Sequence, residues 1–385
     1  DNTLGEPQGL DPSWGGGHSA IEVGQNIYQG LLWYKENSTT EYVGVLATDW
    51  KLTPDGKTYT FSLRKGVRFS DGRPFNAYSV WFNYYKMAVL NPPQGFMIGP
   101  QLLDPGRVTV QDLNTFDFIN PTASQLAKMK EPNQSIQVID DYTIAFHLKQ
   151  PVSSFLDRTA TLAGLMVEPT FVQEHGGFQG NATVNEYVVA HGSPGTGPYI
   201  VTSWIRGQSI TMELNPNYWG PRPHVSKVII QYKTNVIDAI NDLRSGTAQV
   251  LYTVPFNMLP DIEGAPGIVL AKSGLSYVIA WLALDTRTYP LNITKVRLAI
   301  NYAINKEAII QELFRGYGVT FQGPLPRGMF GYDNTIEPIG YNLEKAKQLL
   351  AEAGFPDGKG LRPLSFMYPN DAFLSPAVQP IARVF

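Results

Sequence analysis

The chain has 385 residues, enough for two or three domains, and 43% apolar residues with 12% aromatics supply the material for a large core. Lys and Arg total 30 against 33 Asp and Glu, a net charge of −3, so there is no basic field to hold a phosphate backbone and nucleic acid is not expected as a partner. The absence of cysteine excludes disulfides, thiolate metal sites and cysteine nucleophiles, and no apolar run approaches the roughly 20 residues of a membrane span.

The start lacks the basic-then-apolar make-up of an export signal, and Asp1-Asn2-Thr3 reads as a mature, processed end. Asn-x-Ser/Thr triplets at Asn37, Asn133, Asn181 and Asn292 are compatible with export. Residues 58–64 alternate, with Tyr59, Phe61 and Leu63 on one side, and Tyr142, Ile144, Phe146 and Leu148 do the same. Both stretches predict half-buried strands of an antiparallel sheet. Between them Asn76 is placed to cap a helix from Ala77 towards Val89, which Asn91-Pro92-Pro93 stops. A turn-dense crossover at 192–199 opens a second block, with strands at 200–203, 210–214 and 228–232 and a helix at 236–244 ending before Gly246. Further on, Thr294 is expected to cap a helix at 295–303 and Asn305 one at 306–314, with Gly316 as its stop. Asn342 caps a third at 343–353, whose apolar face reads Leu343, Ala346, Leu350 and Ala353. At 377–385 an apolar helix begins with no stop signal, which predicts that the chain is a fragment of a longer product.

Residues for covalent or metal chemistry are sparse. The five histidines, His18, His147, His175, His191 and His224, include no pair at the i, i+4 spacing of a zinc helix, and no metal site is predicted. The glycine runs at 15–17 and 192–197 lack the Gly-Lys-Ser/Thr ending of a phosphate loop and read as turns or as places where backbone meets a ligand. Ser62-Leu63-Arg64-Lys65 fits the Ser-x-x-Lys pattern of serine acyl enzymes, and Lys272-Ser273-Gly274 resembles their second motif. That chemistry needs the Ser at a helix start, whereas Ser62 falls in an alternating strand that carries Lys65 off its face. Asp140 and Asp141, as chain neighbours, should point apart. No catalytic residue is therefore assigned, and no cofactor.

Several stretches together resemble one family. They are Leu10-Asp11-Pro12; the run from Leu63 through Arg64-Lys65-Gly66-Val67-Arg68-Phe69-Ser70-Asp71-Gly72-Arg73-Pro74 to Phe75; Gly195-Thr196-Gly197-Pro198-Tyr199; and Asn215-Pro216-Asn217-Tyr218-Trp219. Residues 296–307 and 346–355 follow in the same order. These six stretches are similar to the extracellular solute-binding proteins of ABC importers that take oligopeptides and dipeptides, family 5.

The resemblance implies a mixed α/β, two-lobed clamshell of the periplasmic-binding type with an extra inserted subdomain, the C-terminal part being missing. Residues 1–40 and 188–265 would form the main lobe, 41–187 the insertion, and 266–385 an incomplete second lobe. It further implies an oligopeptide ligand trapped by lobe closure, a membrane permease as partner, a monomer, and an extracellular or periplasmic location with a surface anchor in the full-length form. By position, the pocket wall would include Gly17, His18, Phe96, Tyr252, Thr253, Tyr277 and Trp281. Trp281 lies in a strand-like apolar run and could equally be core. Cello-type sugars suit the same aromatic platforms, and other members of the family carry nickel complexes or haem.

Overall fold

The computed structural model describes residues 5–15, 17–36, 38–271, 279–321, 323–329 and 331–367. The chain divides into two compact units, Gly5–Tyr232 and the chain from Lys233 onward. The helix start expected at 377–385 lies outside the described residues.

The first unit is built on antiparallel sheets. Strands β1 (Leu32–Tyr34) and β2 (Tyr42–Gly44) pair alone; β3 (Ala47–Leu52), β4 (Thr58–Leu63), β5 (Ile136–Asp140) and β6 (Thr143–His147) form a sheet in the order β3-β4-β6-β5. The alternation of β4 sends Tyr59, Phe61 and Leu63 inward as its sequence pattern requires, and register with β6 sets Phe61 opposite Ile144 and Tyr59 opposite Phe146. Phe61 and Phe146 meet edge to face at 5.5 Å, a geometry that adds to the burial itself. β6 departs from strict alternation: Ala145 is buried as well as Ile144 and Phe146.

Across this sheet lies the helix Ala77–Leu90. Asn76 caps it by accepting from the N–H groups of Tyr78 and Ser79, and Asn91 ends it in the left-handed conformation just before the two prolines. All of its residues except Val89 are buried. A helix apolar on nearly every side must sit in the middle of a core, and here Tyr84 packs on Phe146 and Trp81 stacks on Phe116.

The third sheet, β7 (Tyr199–Ile205), β8 (Ser209–Leu214) and β9 (Lys227–Gln231), runs in chain order, with Ile210 and Met212 buried. The family-like stretches meet around it. Ser70 N–H donates to Gly195 O, and the Asn217 amide donates to Ser70 O. Arg64 lies over the Trp219 ring at 4.2 Å, while the indole N–H of Trp219 donates to Gln29. Arg73 bridges Asp71 and the buried Glu168; burial pushes the Glu168 carboxyl up, opposed by the N–H groups of Phe171 and Thr170. Gly195 is required by contact, since a Cβ there would collide with the carbonyl oxygen of Ile27. The stretches that carry the resemblance are thus largely a scaffold that locks one part of this unit to another.

Among its described residues the second unit is mostly helices and loops around two small buried clusters. The helix Val236–Ser245, capped by Asn235 and closed by Gly246 at φ 77, packs Val236 and Ile240 against Leu259 and Ile262. The helices Thr294–Ala303 and Leu343–Glu352 pair through Ala299, Ala346 and Leu349, with Lys295 and Glu352 bridged at 3.0 Å. Three expectations change here. Thr294 is the first helical residue, not the cap: Ile293 holds the cap position with no side-chain bond, and the Thr294 hydroxyl accepts from Arg297 instead. Asn305 caps as expected, but the helix ends at Glu312 rather than Phe314. On the helix Leu343–Glu352 the buried face runs through Ala346 and Leu349 against Ala299, with Leu350 partly buried on the same cluster, while Leu343 is exposed. Among the described residues no helix is long and apolar enough to cross a membrane.

Candidate functional site

The first unit holds Gly17, His18 and Phe96. Residues 9–15 form an irregular segment, and the Asp11 carbonyl accepts from Trp14 N–H and Gly15 N–H, both at 3.0 Å. Gly17 then takes φ 95, a value that favours glycine, and His18 opens the helix His18–Ile27. A Cβ on Gly17 would meet nothing within 4 Å, so backbone here can be approached closely. Among the described residues no side chain caps this helix, and the first N–H groups of such a helix can meet an acceptor.

Phe96 lies in the short helix Gly95–Ile98 and is 64% exposed. Gln94 joins the two places. Its backbone N–H donates to Ser13 O at 3.0 Å and its side-chain amide to Gly15 O at 3.3 Å. Gln101 holds the far side of the Phe96 turn through Gly95 O at 3.0 Å. The segment carrying Gly17 and the turn carrying Phe96 are therefore one stitched surface, to which Trp14 adds a partly exposed ring. Beneath it Tyr28 accepts from Ser193 N–H at 2.9 Å, and burial pushes its phenol well above the usual range.

The second unit holds Tyr252, Thr253 and Trp281. Tyr252 is exposed, and Thr253 has φ 67, uncommon for a β-branched residue. They sit between Leu251 and Val254, which pack on the Val236–Ile262 cluster and fix the strip from below. Trp281 is 82% exposed among the described residues. Tyr277 lies outside the described residues.

The rival chemistry finds no support in the geometry. Ser62 faces out of β4, and the Lys65 ammonium lies over the Tyr142 ring at 5.5 Å. Lys272, Ser273 and Gly274 lie outside the described residues. Asp140 accepts from Tyr142 N–H and Asp141 from the Tyr78 hydroxyl, so the two carboxylates serve separate partners. Among the described residues no group of three or more His, Asp or Glu could hold a metal ion.

The sequence reading missed Gln94, Gln101 and Trp14. A glutamine before a Gly-Phe pair carries no motif, and only the fold brings Gln94 to residues some 80 positions earlier.

Residues 41–383 match the model of the bacterial extracellular solute-binding proteins, family 5 Middle. The chain is 29% identical over 350 residues to the glutathione-binding protein GsiB of Pectobacterium atrosepticum, covering 91% of this chain and 60% of that one. It is 29% identical over 341 residues to heme-binding protein A of Haemophilus influenzae, covering 87% of this chain and 57% of that protein. Among solved structures, the periplasmic binding protein DppA of Helicobacter pylori in complex with the peptide STSA superposes with a TM-score of 0.73 at 28% identity, over 92% of this chain and 65% of that one. The oligopeptide-binding protein AppA of Bacillus subtilis, in complex with a nonapeptide, shares the fold with a TM-score of 0.73 at 21% identity, over 100% of this chain and 70% of that one. The chain spans about 60% of the length of the curated relatives it matches. Its mixed α/β architecture is that of the periplasmic binding proteins, and its relatives are named as binders rather than enzymes. The chain belongs to the bacterial extracellular solute-binding proteins of family 5.

Proposed function

We propose that the protein captures oligopeptides outside the cytoplasm and hands them to the permease of an ABC-type importer. The observation that carries the ligand class is the relative at 28% identity whose structure holds a tetrapeptide. The surface in the first unit agrees with it. The N-terminal N–H groups of the helix beside an open glycine suit a carboxylate or a peptide carbonyl, and the exposed ring of Phe96 suits an apolar side chain; in the second unit Tyr252 and Trp281 offer exposed rings of the same kind. Gly17, His18, Phe96, Tyr252, Thr253, Tyr277 and Trp281 are the residues assigned to the ligand. Closure of the lobes is driven by the difference in ligand affinity between open and closed forms.

The layout proposed for the lobes keeps 41–187 as an insertion into a main lobe of 1–40 and 188–265, with 266–385 in the second. The sheet β3-β4-β6-β5 lies wholly within 41–187 and the sheet β7-β8-β9 within 188–265, in its favour, whereas the division of the chain at Tyr232 and the pairing of β1 with β2 across residue 40 speak against these bounds. The protein would act as a monomer held at the cell surface by an anchor in its full-length form.

A second reading is a single small anionic ligand of the glutathione or haem kind, favoured by the two relatives at 29% identity. Mass spectrometry of whatever leaves the purified protein on denaturation separates the two. Peptides of mixed sequence support the first reading; glutathione or haem alone replaces it with the second.

A further inference from the structure

The helix Ala77–Leu90 contains one feature its position does not call for. Lys86 is buried, with only 2% of its side chain exposed, among Trp81, Phe82, Tyr84, Tyr85 and Met87. Its ammonium lies 3.5 Å from Oδ1 of Asp11, whose side chain is equally buried. Two desolvated charges gain little or no stability over apolar side chains of similar volume, and losing one partner strands the other. A core that needed only filling would place an apolar residue at position 86.

What the pair does is visible at the other end of Asp11. The same Oδ1 accepts from Ser13 N–H at 2.8 Å and from the Ser13 hydroxyl at 2.6 Å, while the Asp11 carbonyl accepts from Trp14 and Gly15 N–H. Asp11 thus closes the turn from both its side chain and its main chain, and Lys86 ties Asp11 to the central helix. No strand or helix runs through residues 9–15 to define their place. Leu10 holds the start of the segment, its N–H donating to Val189 O at 2.9 Å and its side chain buried in the core, while this polar anchor and Gln94 hold the turn that follows and leads towards Gly17.

We propose that the buried Lys86–Asp11 ion pair is a positioning device that fixes the turn carrying Trp14 and leading into Gly17 at the ligand surface. Its functional half rests on the reading that this surface meets the ligand. Lys86 and Asp11 touch no ligand themselves; they act through the turn.

The test compares the protein with Lys86→Met, the double variant Asp11→Asn with Lys86→Met, and Lys86→Arg. The single Met variant leaves a carboxylate buried without its cation, a strongly destabilising change, so the double variant decides. It removes both charges while keeping the side-chain volumes and the acceptor for Ser13. Amide hydrogen exchange of ligand-free protein is read at Ser13, Trp14 and Gly15, and affinity is read by calorimetry with an equimolar mixture of di- to pentapeptides. In the double variant, exchange at these three amides should rise by about tenfold or more while β4 and β6 stay protected, and peptide affinity should fall by about tenfold or more. Lys86→Arg, which keeps the cation, should leave both close to the unaltered protein. Wild-type exchange at the turn in the double variant would overturn the proposal, as would faster exchange with unchanged affinity in a protein that binds the mixture. If the unaltered protein takes up no peptide, the ligand reading fails by itself, and the exchange data still decide whether the pair sets the turn.

Discussion

Trp81 in the first unit and Trp281 in the second both stand in apolar, aromatic sequence, yet one is 0% and the other 82% exposed. The contrast extends to the units around them. In Gly5–Tyr232 the large rings are core: Trp81, Tyr84, Phe61, Phe146 and Phe155 are all fully buried in one continuous cluster. From Lys233 onward the described core is two small clusters, while Val250, Val269, Trp281 and Met367 are open to solvent. Aromatic content alone cannot separate a ring that holds a fold from one that can hold a ligand. The partner of each ring does.

The largest expected effect tests that contrast directly. Trp81→Ala should cost about 3–5 kcal/mol, the range for emptying a buried aromatic site, whereas Trp281→Ala should stay within about 0.5 kcal/mol of the parent as a surface change. Urea midpoints measured by far-ultraviolet circular dichroism decide, and equal losses would break the distinction. Gly195→Ala should come next, at about 1–3 kcal/mol, because its methyl group would run into the backbone of Ile27 and the buried Tyr28 ring. Asn76→Ala and Asn235→Ala remove helix caps from the first and the second unit respectively. Each should cost about 1 kcal/mol, since a cap is a local bond indifferent to core size; a much larger loss at Asn76 would show that its cap is coupled to the surrounding core.

The smallest effect concerns pH. Burial between β4 and β5 holds the His147 imidazole below its ordinary value, with Thr58 and Gln137 as hydrogen-bond partners. The folded state therefore favours the neutral ring. Its contribution is fully present above the unfolded histidine value of about 6.5 and is lost as the pH falls through that value towards the lower folded one. Glutamine in its place should flatten the fall in denaturation midpoint between about pH 7.5 and about pH 5.5. An unchanged slope would mean the ring is solvated in the folded state.

Much of the fold could be read before any coordinates. The alternation at Tyr59, Phe61 and Leu63, the cap at Asn76 and the stop at Asn91-Pro92-Pro93 are local signals, and tertiary structure did not overrule them. Legibility failed where the choice belonged to a neighbour. The helix Leu343–Glu352 has leucines at 343, 349 and 350, and only the cluster it forms with Ala299 shows Leu349 buried, Leu350 partly so and Leu343 exposed. Thr294 looked like a cap because threonine often is one, but the helix starts at that residue and its hydroxyl serves Arg297. At the candidate site, Gly17 announced itself by its glycine neighbours and Trp281 stayed ambiguous. Gln94 and the Lys86–Asp11 pair were silent, since each acts on residues about 75 or more positions away.

The open aromatic surfaces are proposed to serve a captured solute. Calorimetric titration of ligand-free protein with an equimolar mixture of short peptides tests it most directly, run in parallel on Trp281→Ala. The parent should bind saturably and the variant with an affinity lowered by about tenfold or more, at unchanged folding stability. Heat from an oligosaccharide, glutathione or haemin with none from the peptides would contradict the peptide assignment, and equal affinity in the variant would remove Trp281 from the site.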